Sequence, residues 1–94
     1  MRVRYTPRAR SDLEAIIDYL AAESPQGATS VKRAMDAVIG LIGEYPQSGR
    51  LVGEQGVRVL PAGRHPYLIY WSVEGGVAWI VHIRDGRRKP WRDA

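Results

Sequence analysis

From Pro7 onward, the spacing of apolar residues changes once, from a helical period before Pro46 to a strand period after Gly56. Two helix-start signals precede that change, Thr6-Pro7 and Ser24-Pro25, each a hydroxyl residue followed directly by proline. After the change, short apolar runs alternate with glycine-rich turns, as β-strands do. This order predicts an α+β domain in which the helices precede most of the sheet.

The first half of the chain predicts one strand and two helices. Residues 2–5 alternate polar and apolar side chains, which indicates a short strand. A helix is expected from Pro7 until the segment 23–25 stops it, and a second from Pro25 until Pro46 closes it. Each carries one apolar stripe. Because so little chain separates the two helices, they are expected to form an antiparallel hairpin.

Gly40 and Gly43 lie inside the second predicted helix, where each glycine costs about 1 kcal/mol relative to alanine. Two interpretations account for them. Either they allow close packing against the first helix or the sheet, or they leave a shallow groove for a partner's helix. The sequence leaves both open.

The second half predicts three antiparallel strands, at residues 57–60, 67–73 and 77–84, with Glu74-Gly75-Gly76 as the last turn. Pairing Val73 with Val77 separates the side chains best. One face is then apolar: Tyr67, Ile69, Trp71, Val73, Val77, Trp79, Val81 and Ile83. The other is amphipathic: Leu68, Tyr70, Ser72, Ala78, Ile80, His82 and Arg84. We expect the helices to cover the apolar face. The alternative is a two-residue turn, which sets Ser72 against Trp79.

The net charge of +4 belongs to the C-terminal part of the chain. Residues 1–54 hold seven Lys/Arg and seven Asp/Glu, whereas residues 55–94 hold seven Lys/Arg and three Asp/Glu. Such an asymmetry predicts an anionic partner, either nucleic acid or an acidic protein segment. The candidate contacts lie on or near the partly open sheet face: Arg58, Arg64, His65, His82, Arg84, Arg87, Arg88 and Lys89.

Composition excludes several classes of protein. Residues 1–94 are too few for two domains, and the absence of cysteine excludes disulfides, thiolate zinc sites and thiol nucleophiles. His65 and His82 lie far apart without a carboxylate at ligand spacing, so neither a metal nor a cofactor is expected. The apolar runs are too short to span a bilayer, and the N-terminus lacks a signal-peptide core. A cytoplasmic protein without a membrane partner is expected.

Catalysis finds little support in the sequence. Ser72, His82 and Asp85 have the residue types of a hydrolytic triad, but no nucleophile-elbow or oxyanion-hole motif accompanies them. Cleavage of RNA by its 2′-hydroxyl needs only a base, an acid and cations. His82 is the candidate acid or base, with Arg58, Arg84 and Arg88 as electrostatic clamps. A neutral histidine held beside the sheet is the competing interpretation, and no catalytic residue is assigned.

Five segments spread over almost the whole chain resemble one family in their order and spacing. They are YTPRARSDLEAI at 5–16, EYPQSGR at 44–50, GVRVLP at 56–61, YLIYW at 67–71 and HIRDGRR at 82–88. The family is the RelE/ParE superfamily of toxins from bacterial type II toxin–antitoxin pairs. The resemblance implies a strand, a helical hairpin and a three-stranded sheet, in agreement with the periodicity.

The superfamily implies two activities. ParE-like members poison DNA gyrase, whereas RelE-like members are ribosome-dependent endonucleases that cut messenger RNA. The RNA-cutting branch uses lysines on and before the first strand of the sheet, an arginine after the tyrosine that opens the next strand, and a C-terminal tyrosine or histidine. Here residues 49–60 hold no lysine, Leu68 follows Tyr67, and Trp91 stands near the position of the terminal tyrosine. These departures favour a ParE-like toxin that is not an enzyme.

The resemblance also implies partners. A cognate antitoxin is expected to wrap the toxin with an acidic C-terminal segment, and DNA gyrase is the expected target. The alternatives are an RNase acting on the ribosome and mRNA, or an inactive relative that only binds its antitoxin. Trp91 is either an anchor for the tail or an exposed stacking platform. The expected target contacts are Arg58, Arg64, Arg84, Arg87, Arg88, Lys89 and Trp91.

Overall fold

The computed structural model describes residues 1–88, so Lys89 and Trp91 lie outside the described residues. The α+β class and the two helices are confirmed. Thr6 and Ser24 cap them, because their hydroxyls accept the N–H groups of Ala9 and Gly27. The elements in chain order are β1 Arg2–Tyr5, α1 Pro7–Glu23, α2 Pro25–Glu44, β2 Arg50–Val52, β3 Val57–Pro61, β4 Tyr67–Glu74 and β5 Val77–Asp85.

One sheet holds all five strands, in the order β1-β5-β4-β3-β2. The antiparallel pairing of β3, β4 and β5 is confirmed. Two features go beyond the prediction. β2 lies between the second predicted helix and the strand predicted at residues 57–60, where no strand is expected from the sequence, and it pairs with β3. β1 joins the other edge of the sheet, parallel to β5. The sheet is therefore mixed, and β1 and β2 form its edges.

The turn between β4 and β5 has two residues, so the predicted three-residue turn is wrong. Glu74 pairs directly with Val77. Gly75 and Gly76 have φ of +58° and +75°, the conformation that a type I′ turn requires at both central positions. This turn suits the right-handed twist of the strands, and two adjacent glycines adopt it without strain.

The shorter turn changes which residues of β5 reach the core. Ala78 and Ile80 were predicted for the open face, but they are fully buried in the core. Val77 and Trp79 were predicted for the core, but they are half-buried outside it. A β-bulge then skips Val81, and the register after it returns Ile83 to the core. The predicted faces are therefore wrong for the first half of β5; the core face of the hairpin holds Tyr67, Ile69, Trp71, Val73, Ala78, Ile80 and Ile83.

Both helices pack on this one face of the sheet, as predicted. Ala9, Val31, Met35 and Ile42 are buried and join the sheet residues in a single core cluster. Ala28 on α2 is also buried, outside that cluster. Burial of this apolar surface is the main stabilising term. No helix among residues 1–88 is long and apolar enough to cross a membrane.

The two helix glycines differ in their surroundings. A Cβ on Gly43 would lie 3.1 Å from the Met1 carbonyl oxygen and 3.4 Å from Val3 Cγ2, so this glycine permits close packing against the sheet edge. Apart from the backbone of its own helix and its chain neighbours, a Cβ on Gly40 would meet no described atom within 4 Å. Close packing thus accounts for Gly43 and not for Gly40.

Candidate functional site

The carboxylate of Asp12 on α1 occupies the edge of β5 that β1 leaves uncovered. The pairing of β1 with β5 ends at Tyr5 and Ile80. Further along β5, the Ile83 N–H donates to Asp12 Oδ2 over 3.1 Å, and His82 Nδ1 lies 2.7 Å from the same oxygen. Because a carboxylate only accepts, the proton of this contact is assigned to Nδ1. Asp12 therefore ties α1 to the last strand.

His82 is enclosed rather than presented to solvent. Its exposed fraction is 7%, and its ring stacks on Tyr70 with the centroids 5.7 Å apart and the planes at 27°. Contacts with Tyr70 and Asp12 hold the ring in place. An acid or base in catalysis must reach its substrate. The enclosed position of His82 therefore favours the interpretation that it is a histidine held beside the sheet.

Arg84 links the open sheet face to the turn that follows β5. Its Nε donates to the Tyr70 hydroxyl over 3.0 Å, and its guanidinium lies 5.8 Å from the centre of that ring. Its Nη1 donates to the main-chain oxygens of Asp85 and Arg88 over 3.2 and 3.4 Å. Arg84 thereby fixes residues 85–88 relative to the sheet.

The Asp85 carboxylate stabilises the same turn by hydrogen bonds with Arg87. It accepts the Arg87 N–H over 2.9 Å, Nε over 3.0 Å and Nη2 over 2.8 Å. The hydrogen bonds from the Arg87 side chain, followed by that from its main chain, lower the pKa of Asp85 from 3.8 to about 2. The Arg87 side chain stays 72% exposed, and Arg88 is exposed beside it. We call Arg84, Arg87 and Arg88 the cationic cluster.

A groove of about 430 Å³ runs between α1 and the cationic cluster. Its walls carry both charge signs, together with apolar and aromatic surface from α1 and the sheet. Tyr19, on its α1 side, is 66% exposed. Such a groove suits a chain segment that is partly apolar and partly charged. It is lined by Asp12, Ala15, Ile16, Tyr19, Tyr67, Ile83, Asp85, Arg87 and Arg88.

The structure separates Arg58 and Arg64 from the cationic cluster. Arg58 pairs in register with Trp71, whereas Arg84 pairs with Leu68, and alternate residues of a strand point to opposite faces. Arg64 is exposed in the turn between β3 and β4. Of the predicted contacts within the described residues, Arg84, Arg87 and Arg88 come together.

His65 also lies apart from the cationic cluster. Its Nε2 is 3.3 Å from Ser30 Oγ on α2. Among residues 1–88, no group of three or more His, Cys, Asp or Glu residues could hold a metal ion.

Sequence reasoning missed Asp12 and Tyr70 as partners of His82. Tyr70 was placed on the same face, but nothing marked it as the ring against His82. In the sequence Asp12 is one of several acidic residues of α1, with Glu14 and Asp18, and nothing local sets it apart because its contact depends on where β1 ends. The Ser72-His82-Asp85 triad does not form, since Asp12 is the carboxylate that bonds His82.

A protein-family model described as the ParE toxin of the type II toxin-antitoxin system, parDE, matches residues 3–90. The chain belongs to the ParE toxin family. This ParE-family chain is 35% identical over 89 residues to Toxin RelE2 of Caulobacter vibrioides, covering 93% of this chain and 97% of that protein. It is 30% identical over 89 residues to Putative toxin Y4kP of Sinorhizobium fredii, covering 95% and 93%.

A solved structure agrees with this assignment. The ParE-family chain aligns with a chain described as "Chromosomal ParDE TA system from P. aeruginosa" at a TM-score of 0.78 and 26% identity, over 90% of this chain and 95% of that one. The predicted membership of the RelE/ParE superfamily is confirmed. The protein is a toxin of a type II toxin–antitoxin system.

Proposed function

We propose that this ParE-family toxin blocks bacterial growth in the cytoplasm by poisoning DNA gyrase, and that a cognate antitoxin neutralises it. The position of His82 is the observation that favours gyrase over the ribosome as the target. The candidate acid or base for RNA cleavage is 7% exposed and is held by Asp12 and Tyr70. The exposed cations next to it are suited to binding rather than to proton transfer.

The cationic cluster is the proposed contact with the target. Arg87 and Arg88 are exposed on a turn that Arg84 and Asp85 hold in place, so their charges are displayed on an ordered backbone. Lys89 follows directly in sequence and Trp91 two residues later, and both extend the proposed contact. Positive charge on a surface turn accelerates encounter with an acidic partner and orients it.

The antitoxin is proposed to neutralise the toxin by binding the groove that lies beside the cationic cluster. An antitoxin segment with apolar and acidic residues would fill the groove against Ile16 and Tyr67 and meet Arg87 and Arg88 at its rim. Binding there would cover the cations proposed to engage gyrase. The antitoxin would thus inhibit by masking the target surface.

A ribosome-dependent RNase is the second candidate, because one relative is named Toxin RelE2. That activity would use His82 as acid or base with Arg58, Arg84 and Arg88 as clamps. His82→Asn separates the candidates, since its amide can still donate to Asp12 but cannot exchange a proton near neutral pH. Retained toxicity is expected; strong loss in a variant that folds normally would favour the RNase.

The test is inducible expression in bacteria, with DNA synthesis, protein synthesis and mRNA integrity followed over the first minutes. Early loss of DNA synthesis with intact messages is expected. Rapid message cleavage would replace gyrase with the ribosome as target. No effect on growth would favour an inactive relative that only binds its antitoxin.

The double substitution Arg87→Ala and Arg88→Ala tests the contact surface in the same cells. It is expected to weaken growth inhibition while antitoxin binding is retained in part. Arg33→Ala with Arg50→Ala is the matched control, because it removes two exposed charges elsewhere. Full toxicity of the Arg87/Arg88 variant would contradict the assignment.

A further inference from the structure

The side of α2 that faces away from the sheet keeps apolar surface exposed. Leu41 on α2 is 43% exposed, and Tyr45, which follows the helix directly, is 59% exposed. Ala37 and Gly40 are exposed near them on the same helix. Gly40 weakens the helix without a packing reason inside the molecule, because a Cβ there would meet no described atom within 4 Å outside its own helix backbone and chain neighbours. A partner on this side would gain apolar contact and could approach the helix closely.

Four exposed residues run along the middle of that side, at steps of four, three and four residues. We call them the outer row of α2: Arg33, Ala37, Gly40 and Glu44. These steps keep successive side chains on one side of a helix. The buried residues of the helix, among them Met35 and Ile42, lie opposite. The outer row therefore has a cation at one end, an anion at the other and two small residues between them.

The charges of the outer row find no opposite charge within the described chain. None of the ion pairs among residues 1–88 includes Arg33 or Glu44. Asp36, which lies three residues after Arg33, is instead paired with Lys32 at 2.8 Å. Arg33 and Glu44 are 11 residues apart, which is about 17 Å along a helix and too far for them to pair with each other. Both charges are therefore available to a second molecule.

A second copy of α2, laid antiparallel on the first, matches the outer row at every position. Positions 33 and 44 and positions 37 and 40 share one midpoint along the helix. A two-fold axis at that midpoint sets Ala37 level with Gly40 of the second copy, and it sets Arg33 level with Glu44 of the second copy at both ends of the contact. A parallel arrangement would set like charges against each other. The order of charges thus favours a second copy of this chain as the occupant, in the antiparallel direction.

Gly40 permits the two helices to come close at the centre of this contact. Helix axes pack about 8–10 Å apart, depending on the side chains between them, and small residues allow the shorter distance. Leu41, beside Gly40, would then lie near Ala37 of the second copy and lose part of its exposed surface. A contact limited to one pair of helices is smaller than the standard stable interface of about 1,200–2,000 Å², so the association is weak.

We propose that this toxin forms a weak two-fold dimer in which the α2 helices pack antiparallel through the outer row, with Arg33 of each copy paired to Glu44 of the other. The residues lining the groove beside the cationic cluster all lie on α1, β4, β5 and the turn after β5. The dimer contact therefore uses no residue of the groove or of the cationic cluster, and a dimer displays two of each. The proposal stands whether gyrase or the ribosome is the target.

Sedimentation equilibrium of the purified full-length toxin over a concentration series tests the dimer. A dissociation constant between about 1 μM and 1 mM is expected for the wild type. Glu44→Arg sets cations against each other at both ends of the contact and is expected to weaken dimerisation by about tenfold or more. Adding Arg33→Glu to Glu44→Arg restores opposite charges and is expected to return the constant to within about threefold of wild type. Glu54→Arg makes the same change in net charge at an exposed loop position, and as the control it should alter the constant by less than about threefold.

Gly40→Gln separates the dimer from the stability of the helix. Glutamine is the better helix former, so thermal stability is expected to hold or rise, which unfolding followed by circular dichroism measures for every variant. The added side chain would keep the helices apart, and dimerisation is expected to weaken by about tenfold or more. A wild type that stays monomeric up to about 1 mM would overturn the proposal. So would a dimer that either Glu44→Arg or Gly40→Gln leaves unchanged, or one that the second charge reversal does not recover.

Discussion

Replacing Asp12 with alanine should destabilise the fold more than any other change to an acidic residue of α1. The substitution removes the acceptor of the Ile83 N–H and of His82 Nδ1. Ile83 is 2% exposed, so its N–H would remain unsatisfied at a cost of about 1–3 kcal/mol, and the lost His82 bond adds about 1 kcal/mol. The Asp12 side chain is only 23% exposed, so its removal also relieves part of the cost of desolvating the carboxylate, and we expect a net loss of about 2–3 kcal/mol.

Urea unfolding of the purified toxin, followed by tryptophan fluorescence, measures this loss directly. Asp12→Asn keeps one acceptor oxygen and is expected to cost about half as much. Asp18→Ala, an exposed acid on the same helix, is the control and should stay within about 0.5 kcal/mol of wild type. An Asp12→Ala variant within that same margin would refute the argument that Asp12 substitutes for a neighbouring strand.

Two further predictions concern the loop after α2 and the turn after β5. Gly49→Ala should destabilise the toxin by more than about 2 kcal/mol in the same unfolding assay, because a Cβ would collide with Trp71 and the Val59 oxygen; a near-neutral result would mean that the loop is not pinned. The Asp85 carboxylate, whose pKa Arg87 lowers to about 2, should contribute stability above about pH 4 and lose it as the pH falls to about 2. Asp85→Asn should remove this part of the acid dependence of unfolding, and an identical pH profile would contradict it.

The helices could be predicted from sequence because their signals are local. A cap, a proline and an apolar stripe all lie within one or two turns of Thr6 or Ser24, and the structure shows these caps bonded as expected. β2 was missed since three residues are too few to show a strand period. The partner of β1 also escaped prediction, because pairing between distant strands leaves no local mark.

The hairpin register failed for a different reason. Choosing the register by separating apolar from polar residues assumes that each strand alternates without interruption. The bulge after Ile80 breaks this alternation, so Ile80 and Ile83 both reach the core although their separation is odd. Two adjacent glycines at the turn were the better guide, because they indicate a type I′ turn directly.

Part of the candidate site could be predicted from the positions of charged residues in the sequence. Arg84, Arg87 and Arg88 are near neighbours in sequence, so they cluster in almost any fold. Arg58 was grouped with them because only the sheet register shows that it faces the other way. The partner of His82 was beyond sequence reasoning, since Asp12 lies 70 positions away and reaches it through the packing of α1.

The most direct test of the proposed function uses purified gyrase, supercoiled plasmid and the purified toxin, with the Arg87→Ala and Arg88→Ala double variant beside it. The wild-type toxin is expected to inhibit gyrase supercoiling and to trap cleaved plasmid, and the double variant is expected to do so weakly. Unaffected gyrase, together with toxin-dependent cutting of messenger RNA on purified ribosomes, would contradict it.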